Sequence, residues 1–157
     1  IKVIMTRSSD NCLCEETDGK SIRKMKVEDM NKRLEIIKKS NADLFISIHM
    51  NCFENESAHG LRIFYDSTHL ETKELAEKMQ QGMAEVTGAK TYAVKSAEKS
   101  LFLMKNPPVP SILAECGFIS NPEEEKKLND EDYRSRLAWA IARTAEEFCS
   151  DYKEKSI

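Results

Sequence analysis

The chain reads as an α/β protein, a three-layer α/β/α arrangement with a central, mostly parallel or mixed sheet, and three observations predict it. Two apolar runs, Leu44-Phe45-Ile46-Ser47-Ile48 and Ser111-Ile112-Leu113-Ala114, each deliver a lone polar side chain, His49 and Glu115, to the end of a strand. Open α/β sheets place their sites at such strand ends. Segments with helical spacing of apolar residues alternate with these runs along the chain. With 157 residues, 40% of them hydrophobic, one core can be buried and two are not expected, so residues 1–152 read as one domain followed by a fraying tail, 153–157.

Each element has its own signal. Lys2 to Thr6 is a short β-branched strand, and Arg7 to Lys26 is a polar connection with turn formers Asp10, Asn11, Asp18 and Gly19, long for a compact domain. Val27, Met30, Leu34 and Ile37 follow helical spacing from Val27 to a stop near Ser40-Asn41, just before the histidine strand Ala42–Asn51. A polar loop through Ser57 leads to a strand over Gly60–Tyr65, whose weak alternation suits a sheet edge. Leu75, Met79, Met83 and Val86 line a long helix that Gly88 terminates.

The segment from Lys90 to Lys99 carries no clear pattern. Leu101 to Met104 is a brief apolar run, and the prolines of Asn106-Pro107-Pro108-Val109-Pro110 lock an extended approach to the glutamate strand. Asn121 reads as an N-cap, Pro122 as the first helical residue, and Glu123 and Glu124 as acids at the positive end of a short helix reaching about Leu128. The last helix starts near Asp130 and carries Tyr133, Leu137, Ile141, Ala145 and Phe148 on the stripe that packs on the sheet, with Trp139 off it.

Charge and composition exclude several function classes. Lys and Arg total 24 against 27 Asp and Glu, and a net charge of -3 offers no attraction to nucleic acid or anionic lipid. No apolar run approaches the length of a membrane span. The chain opens on Ile1 rather than Met, which suggests the interior of a longer protein whose targeting signal is not legible here. Five cysteines cannot all pair within one chain, and Cys12-Leu13-Cys14 lacks the spacing of a zinc knuckle or redox motif. No disulfide is expected, and Cys52, Cys116 and Cys149 read as small core-filling residues.

The chemistry centres on two residues. Strand alternation puts Phe45, Ser47 and His49 on one face and Leu44, Ile46 and Ile48 on the other, so His49 leaves the strand at its mouth as a metal ligand or a hydrogen-bonded structural residue. Glu115 follows three apolar residues, where an unpaired carboxylate is disfavoured. It either pairs with an arginine or lysine or acts as the general base for a metal-bound water, and Gly117 directly afterwards permits an abrupt turn. Asn51 either orients a substrate or caps the turn, Arg33 tethers its helix, and Glu15, Glu16 and Asp18 contact a partner or keep a long loop solvated. His59 and His69 read as solvated.

Met5-Thr6-Arg7, Arg33, Asn41 through Asn51, Gly60, and Glu115-Cys116-Gly117-Phe118-Ile119-Ser120-Asn121-Pro122 resemble, in register, the zinc-dependent N-acetylmuramoyl-L-alanine amidase family from residue 1 to about 150. The extended connection from Thr6 to Arg33 is most similar to the germination-specific, spore-cortex members. The resemblance implies Zn2+ as cofactor, His49 as one of its ligands and Glu115 as the catalytic acid/base, with Asn51 near the substrate. It also implies two further ligands, a histidine and a glutamate, ahead of residue 1, so that residues 1–152 would be a catalytic domain lacking its first strand and helix. The expected reaction is zinc-assisted hydrolysis of the amide joining N-acetylmuramic acid to L-alanine in peptidoglycan, outside the cytoplasm, with an activating lipoprotein partner in some spore formers. The alternatives are a non-catalytic peptidoglycan-binding or regulatory module and a zinc peptidase of related fold.

Overall fold

The computed structural model describes residues 1–15, 19–97 and 101–154. In chain order it contains α1 (Ile22–Lys39), β1 (Phe45–Asn51), β2 (Arg62–Tyr65), α2 (Thr72–Thr87), β3 (Lys95–Ser96), a single 3-10 turn (Phe102–Met104), β4 (Ser111–Phe118), α3 (Pro122–Asn129) and α4 (Glu131–Glu154). The strands form one mixed sheet in the order β1-β4-β2-β3: β1 runs parallel to β4, β2 antiparallel to β4, and β3 parallel to β2. Four helices flank it, as expected for an α/β fold.

One sheet face is closed by apolar packing. Leu61 and Ile63 from the β2 region and Ile112, Ala114 and Cys116 from β4 meet Leu75, Met79 and Met83 of α2 and Tyr133, Leu137 and Ile141 of α4. Each such large apolar side chain taken out of water stabilises the fold by roughly 1.5–3 kcal/mol. The stripes read from the sequence for α2 and α4 are the ones that pack here, Gly88 ends α2 in the left-handed conformation, and Trp139 stays exposed. Because side chains alternate along a strand, the same register turns His49, Glu115 and Arg62 to the other face.

Several expectations are corrected. Lys2 to Thr6 joins no ladder, and Ile1, Val3 and Met5 are 68%, 71% and 70% exposed. β-branched side chains favour a strand only where a neighbouring strand is there to pair. α1 begins at Ile22, five residues earlier than the apolar spacing suggests, because the Ser21 hydroxyl caps it by accepting the Lys24 N–H at 3.4 Å. Val27 is exposed. β2 is not an edge strand, since the short β3 pairs beyond it out of a stretch with no legible pattern.

β4 does not end at Glu115 but continues to Phe118. Gly117, at φ +145°, makes a bulge rather than a turn: His49 pairs with Glu115 and Asn51 with Phe118, so two β4 residues face one of β1. Cys12 and Cys14 are joined by a disulfide, contrary to expectation; their Cα atoms lie 5.2 Å apart, within the reach of such a bond despite the single intervening residue. Cys52 is exposed and so fills no core, Cys149 is half-buried, and burial pushes the Cys116 thiol up to about 11. α4 runs two residues beyond the boundary read at 152; the rest of the tail, 155–157, lies outside the described residues, as do Glu16 and Asp18.

Two buried carboxylates clamp the β2–β4 pair at its ends. Asp66, fully buried, accepts the Ser111 N–H at 2.7 Å, while its own N–H donates to the Ser111 carbonyl at 3.0 Å. Burial alone would raise the Asp66 carboxyl, but hydrogen bonds from Thr68, His69 and Ser111 outweigh it and hold the group below the usual carboxylate range. At the far end Glu124 accepts the Gly60 N–H at 2.9 Å and the Phe118 N–H at 2.8 Å. Its place is set by Asn121, whose side chain accepts the N–H groups of Glu123 and Glu124 at 3.1 Å and starts α3. Gly60 lies so close to the chain, at φ +113°, that an added Cβ would sit 2.6 Å from the Lys90 carbonyl oxygen.

Replacing Glu124 by Ala leaves two buried N–H groups without acceptors and is expected to cost roughly 2–5 kcal/mol in a urea unfolding curve. Glu125→Ala, at an exposed neighbouring position, should stay within about 0.5 kcal/mol.

Candidate active site

The polar face of the sheet carries a row of three side chains on three adjacent strands. His49 of β1 and Arg62 of β2 are both register partners of Glu115, which lies between them on β4. Neighbouring strands lie about 4.8 Å apart, so the row spans about 10 Å of backbone. His49 is exposed and Glu115 is half-buried.

Glu115 is held by one hydrogen bond, from the Asn51 side-chain amide to its carboxylate at 2.8 Å. Asn51 also takes the Cys52 N–H on its side-chain oxygen at 2.8 Å and the Ile119 N–H on its carbonyl at 2.8 Å. It therefore braces the turn and the carboxylate together, and the β4 bulge is what sets Asn51 against the end of that strand. The loops around the row are tied to each other: Phe53 donates its N–H to the Ser120 hydroxyl at 3.0 Å, and Asn121 donates to the Glu56 carbonyl at 2.8 Å.

Burial raises the Glu115 carboxyl above its ordinary value. The charge of Arg62, the Asn51 hydrogen bond and His49 pull the other way without cancelling it. Among the described residues Glu115 forms no ion pair within 4 Å, so the salt-bridge reading is not realised as a contact. A desolvated carboxyl with an elevated pKa and one orienting partner is suited to accept and return a proton.

Arg62 is the member of the row that sequence reasoning missed. Its guanidinium lies over the Tyr92 ring, 4.5 Å from the centroid, and the Lys90 ammonium is 5.1 Å from the same centroid. The only signal available was its position between core residues Leu61 and Ile63, which turns it to the polar face; its pairing with Glu115 is a property of the sheet.

The other candidates lie elsewhere. Arg33 does tether: it donates to Asp29 at 2.6 Å and to the Thr6 hydroxyl at 3.1 Å. That guanidinium, together with the Leu13 N–H, holds the Asp29 carboxyl below its usual range against the effect of burial. Glu15 pairs with Lys32 of α1 at 2.7 Å. His59 is exposed, with its ring nitrogen 2.8 Å from the Ser57 carbonyl. His69 is not simply solvated: its ring lies 2.9 Å from buried Asp66, at the opposite end of β4 from the row. Among the described residues no three His, Cys, Asp or Glu side chains converge as a metal-binding group.

The chain as a whole is similar to known proteins. Similar sequences include the germination-specific N-acetylmuramoyl-L-alanine amidase of Bacillus subtilis, 36% identical over 140 residues, which cover 88% of this chain and 58% of that protein. Another is the amidase LytC of the same organism, 33% identical over 114 residues, 71% of this chain and 23% of that one. The chain thus spans little more than half the length of the first of these relatives. Among solved structures, the CwlD amidase from Clostridioides difficile, in complex with the GerS lipoprotein, superimposes with a TM-score of 0.87 at 37% identity, covering 94% of this chain and 75% of that one. The catalytic domain of CwlV from Paenibacillus polymyxa gives 0.77 at 26% identity, covering 95% and 73%. The N-acetylmuramoyl-L-alanine amidase family model matches residues 1–147, and the chain belongs to that family.

Proposed function

We propose that the protein hydrolyses the amide bond between N-acetylmuramic acid and the L-alanine of the peptidoglycan stem peptide, with Glu115 as the acid/base. The observation that carries this reading is the half-buried Glu115 carboxyl, raised by desolvation, steered by Asn51 and flanked in register by His49 and Arg62. Glu115 takes a proton from the water that attacks the lactyl carbonyl, then returns it to the departing alanine nitrogen, so glycan and peptide separate. The Asn51 amide, donating to Glu115 at 2.8 Å, orients that carboxylate.

The family's zinc would supply a polarised water and a positive charge for the developing oxyanion. A catalytic zinc ordinarily takes three protein ligands, and here His49 is the donor this chain would offer. Among the described residues no group of three His, Cys, Asp or Glu side chains forms around His49, so these side chains do not by themselves fit the metal. The second reading is a non-catalytic module that holds muropeptide on this polar face. The names of the relatives support a role in spore germination at the cell wall, outside the cytoplasm, and the GerS complex of the Clostridioides difficile protein supports a lipoprotein partner. Among the described residues no helix is long and apolar enough to cross a membrane.

On soluble muramoyl peptides the protein is expected to release peptide with a free L-alanine amine, and Glu115→Gln to lower turnover by roughly 10²–10⁴-fold. Binding without turnover in the parent protein would instead establish the module. The acidic limb of kcat/KM should lie above the usual carboxylate range, and Asn51→Ala should move it further up, since the lost hydrogen bond favoured the ionised form.

Stability gives an independent check on the same group. With its folded pKa raised above the unfolded value, Glu115 binds more protons in the folded state, so its contribution is fully present below the unfolded pKa and is lost as pH rises through the folded one. Glu115→Gln should therefore raise Tm at pH 7–8, with the gain shrinking as the pH falls below the carboxylate range.

A further inference from the structure

Arg62 is the member of the polar row with no part in the proton transfers above. It faces Glu115 across the antiparallel ladder, so about 4.8 Å separates the two strands at that point. Its guanidinium lies over the Tyr92 ring, and the Lys90 ammonium approaches the same ring. Among the described residues neither Arg62 nor Lys90 has an acidic partner within 4 Å. The Arg62 Nε is buried with no hydrogen-bond partner.

A structural arginine in this fold looks different. Arg33 is forked onto Asp29 and also donates to Thr6. Two cations gathered at one ring repel each other, and a guanidinium nitrogen buried without a hydrogen-bond partner is a costly arrangement. An anion brought from outside would relieve both costs, and a planar guanidinium is shaped to take a carboxylate with two parallel hydrogen bonds. The chain's net charge of -3 shows that this pair is no sample of a generally basic surface.

We propose that Arg62, assisted by Lys90, binds a free carboxylate of the stem peptide on the residue that follows L-alanine. The proposal rests on the amidase reading for the placement of the scissile bond at Glu115. One strand spacing of about 4.8 Å corresponds to about one and a half residues of extended peptide, which sets the distance from that bond to the recognised group. The site would then favour a second stem residue with a free carboxylate, glutamate, over the same residue as its carboxamide.

Binding tests this without relying on turnover. Two muramoyl tripeptides, N-acetylmuramoyl-L-alanyl-γ-D-glutamyl-L-lysine and its counterpart with the glutamate α-carboxyl as the carboxamide, both with the γ-carboxyl tied into the next peptide bond, are titrated calorimetrically into the Glu115→Gln variant, and into the same variant carrying Arg62→Gln, Arg62→Lys or Lys90→Gln. The acid is expected to bind about tenfold or more tightly than the amide. Arg62→Gln should bring that ratio to within about twofold, Arg62→Lys should leave an intermediate preference, and Lys90→Gln should reduce it partly. If Arg62→Gln does not fold, the graded loss with the other two variants carries the same information. A ratio near one before any change at Arg62, or one that survives all three substitutions, overturns the proposal. Turnover of the two ligands by the protein with Glu115 intact is scored separately. Turnover without a preference sinks the Arg62 proposal and keeps the hydrolase, whereas a preference without turnover sustains Arg62 and sinks the hydrolase.

Discussion

The parallel register of β1 on β4 is the constraint on which the site depends. A slip of one residue would turn His49 to the opposite face and destroy the row it makes with Glu115 and Arg62. The register is fixed at both ends by backbone hydrogen bonds, Phe45 N–H to the Pro110 carbonyl at 2.9 Å and Ile119 N–H to the Asn51 carbonyl at 2.8 Å. Along its length Leu44, Ile46 and Met50 pack against the apolar core while His49 turns away from it. Apolar packing on one face thereby determines the chemistry on the other.

Three carboxylates around β4 show how environment separates structural from functional roles. Asp66 and Glu124 are buried, and both accept backbone N–H groups that fasten β4 to the β2 region. Glu115 is less buried but has a single side-chain donor, and its carboxyl is pushed up. The first two spend their acceptor capacity on the fold; the third keeps an oxygen for chemistry at some cost to stability. The same contrast separates Arg33, fully engaged, from Arg62, which rests on an aromatic ring with an unpartnered Nε.

Local signals made much of this legible. The stripe Leu75-Met79-Met83, Gly88 as terminator and Asn121-Pro122 as a helix start depend on short-range periodicity or capping and stand as read, and the two strands bearing His49 and Glu115 exist where they were read, though the second runs on past Glu115. What escaped depends on partners distant in sequence. A strand at Lys2–Thr6 requires a neighbour, and none pairs with it among the described residues, while β3 exists only because β2 pairs with it. Glu124 looked like a helix-dipole acid until Gly60 and Phe118 were found to converge on it. Arg62 could be assigned to a face, but its place beside Glu115 follows from the antiparallel ladder, and the bulge at Gly117 shows only against the spacing of β1.

The central claim is that Glu115 is a desolvated carboxyl poised to carry a proton. Its most direct test is a pH titration of the side-chain carboxyl carbons by NMR in protein labelled at glutamate, with Glu115→Gln to assign the resonance. The account predicts a midpoint clearly above the ordinary value of 4.5. A midpoint at or below it would mean that Arg62 and Asn51 hold Glu115 as a permanently ionised structural anion, and the acid/base role would fall with it.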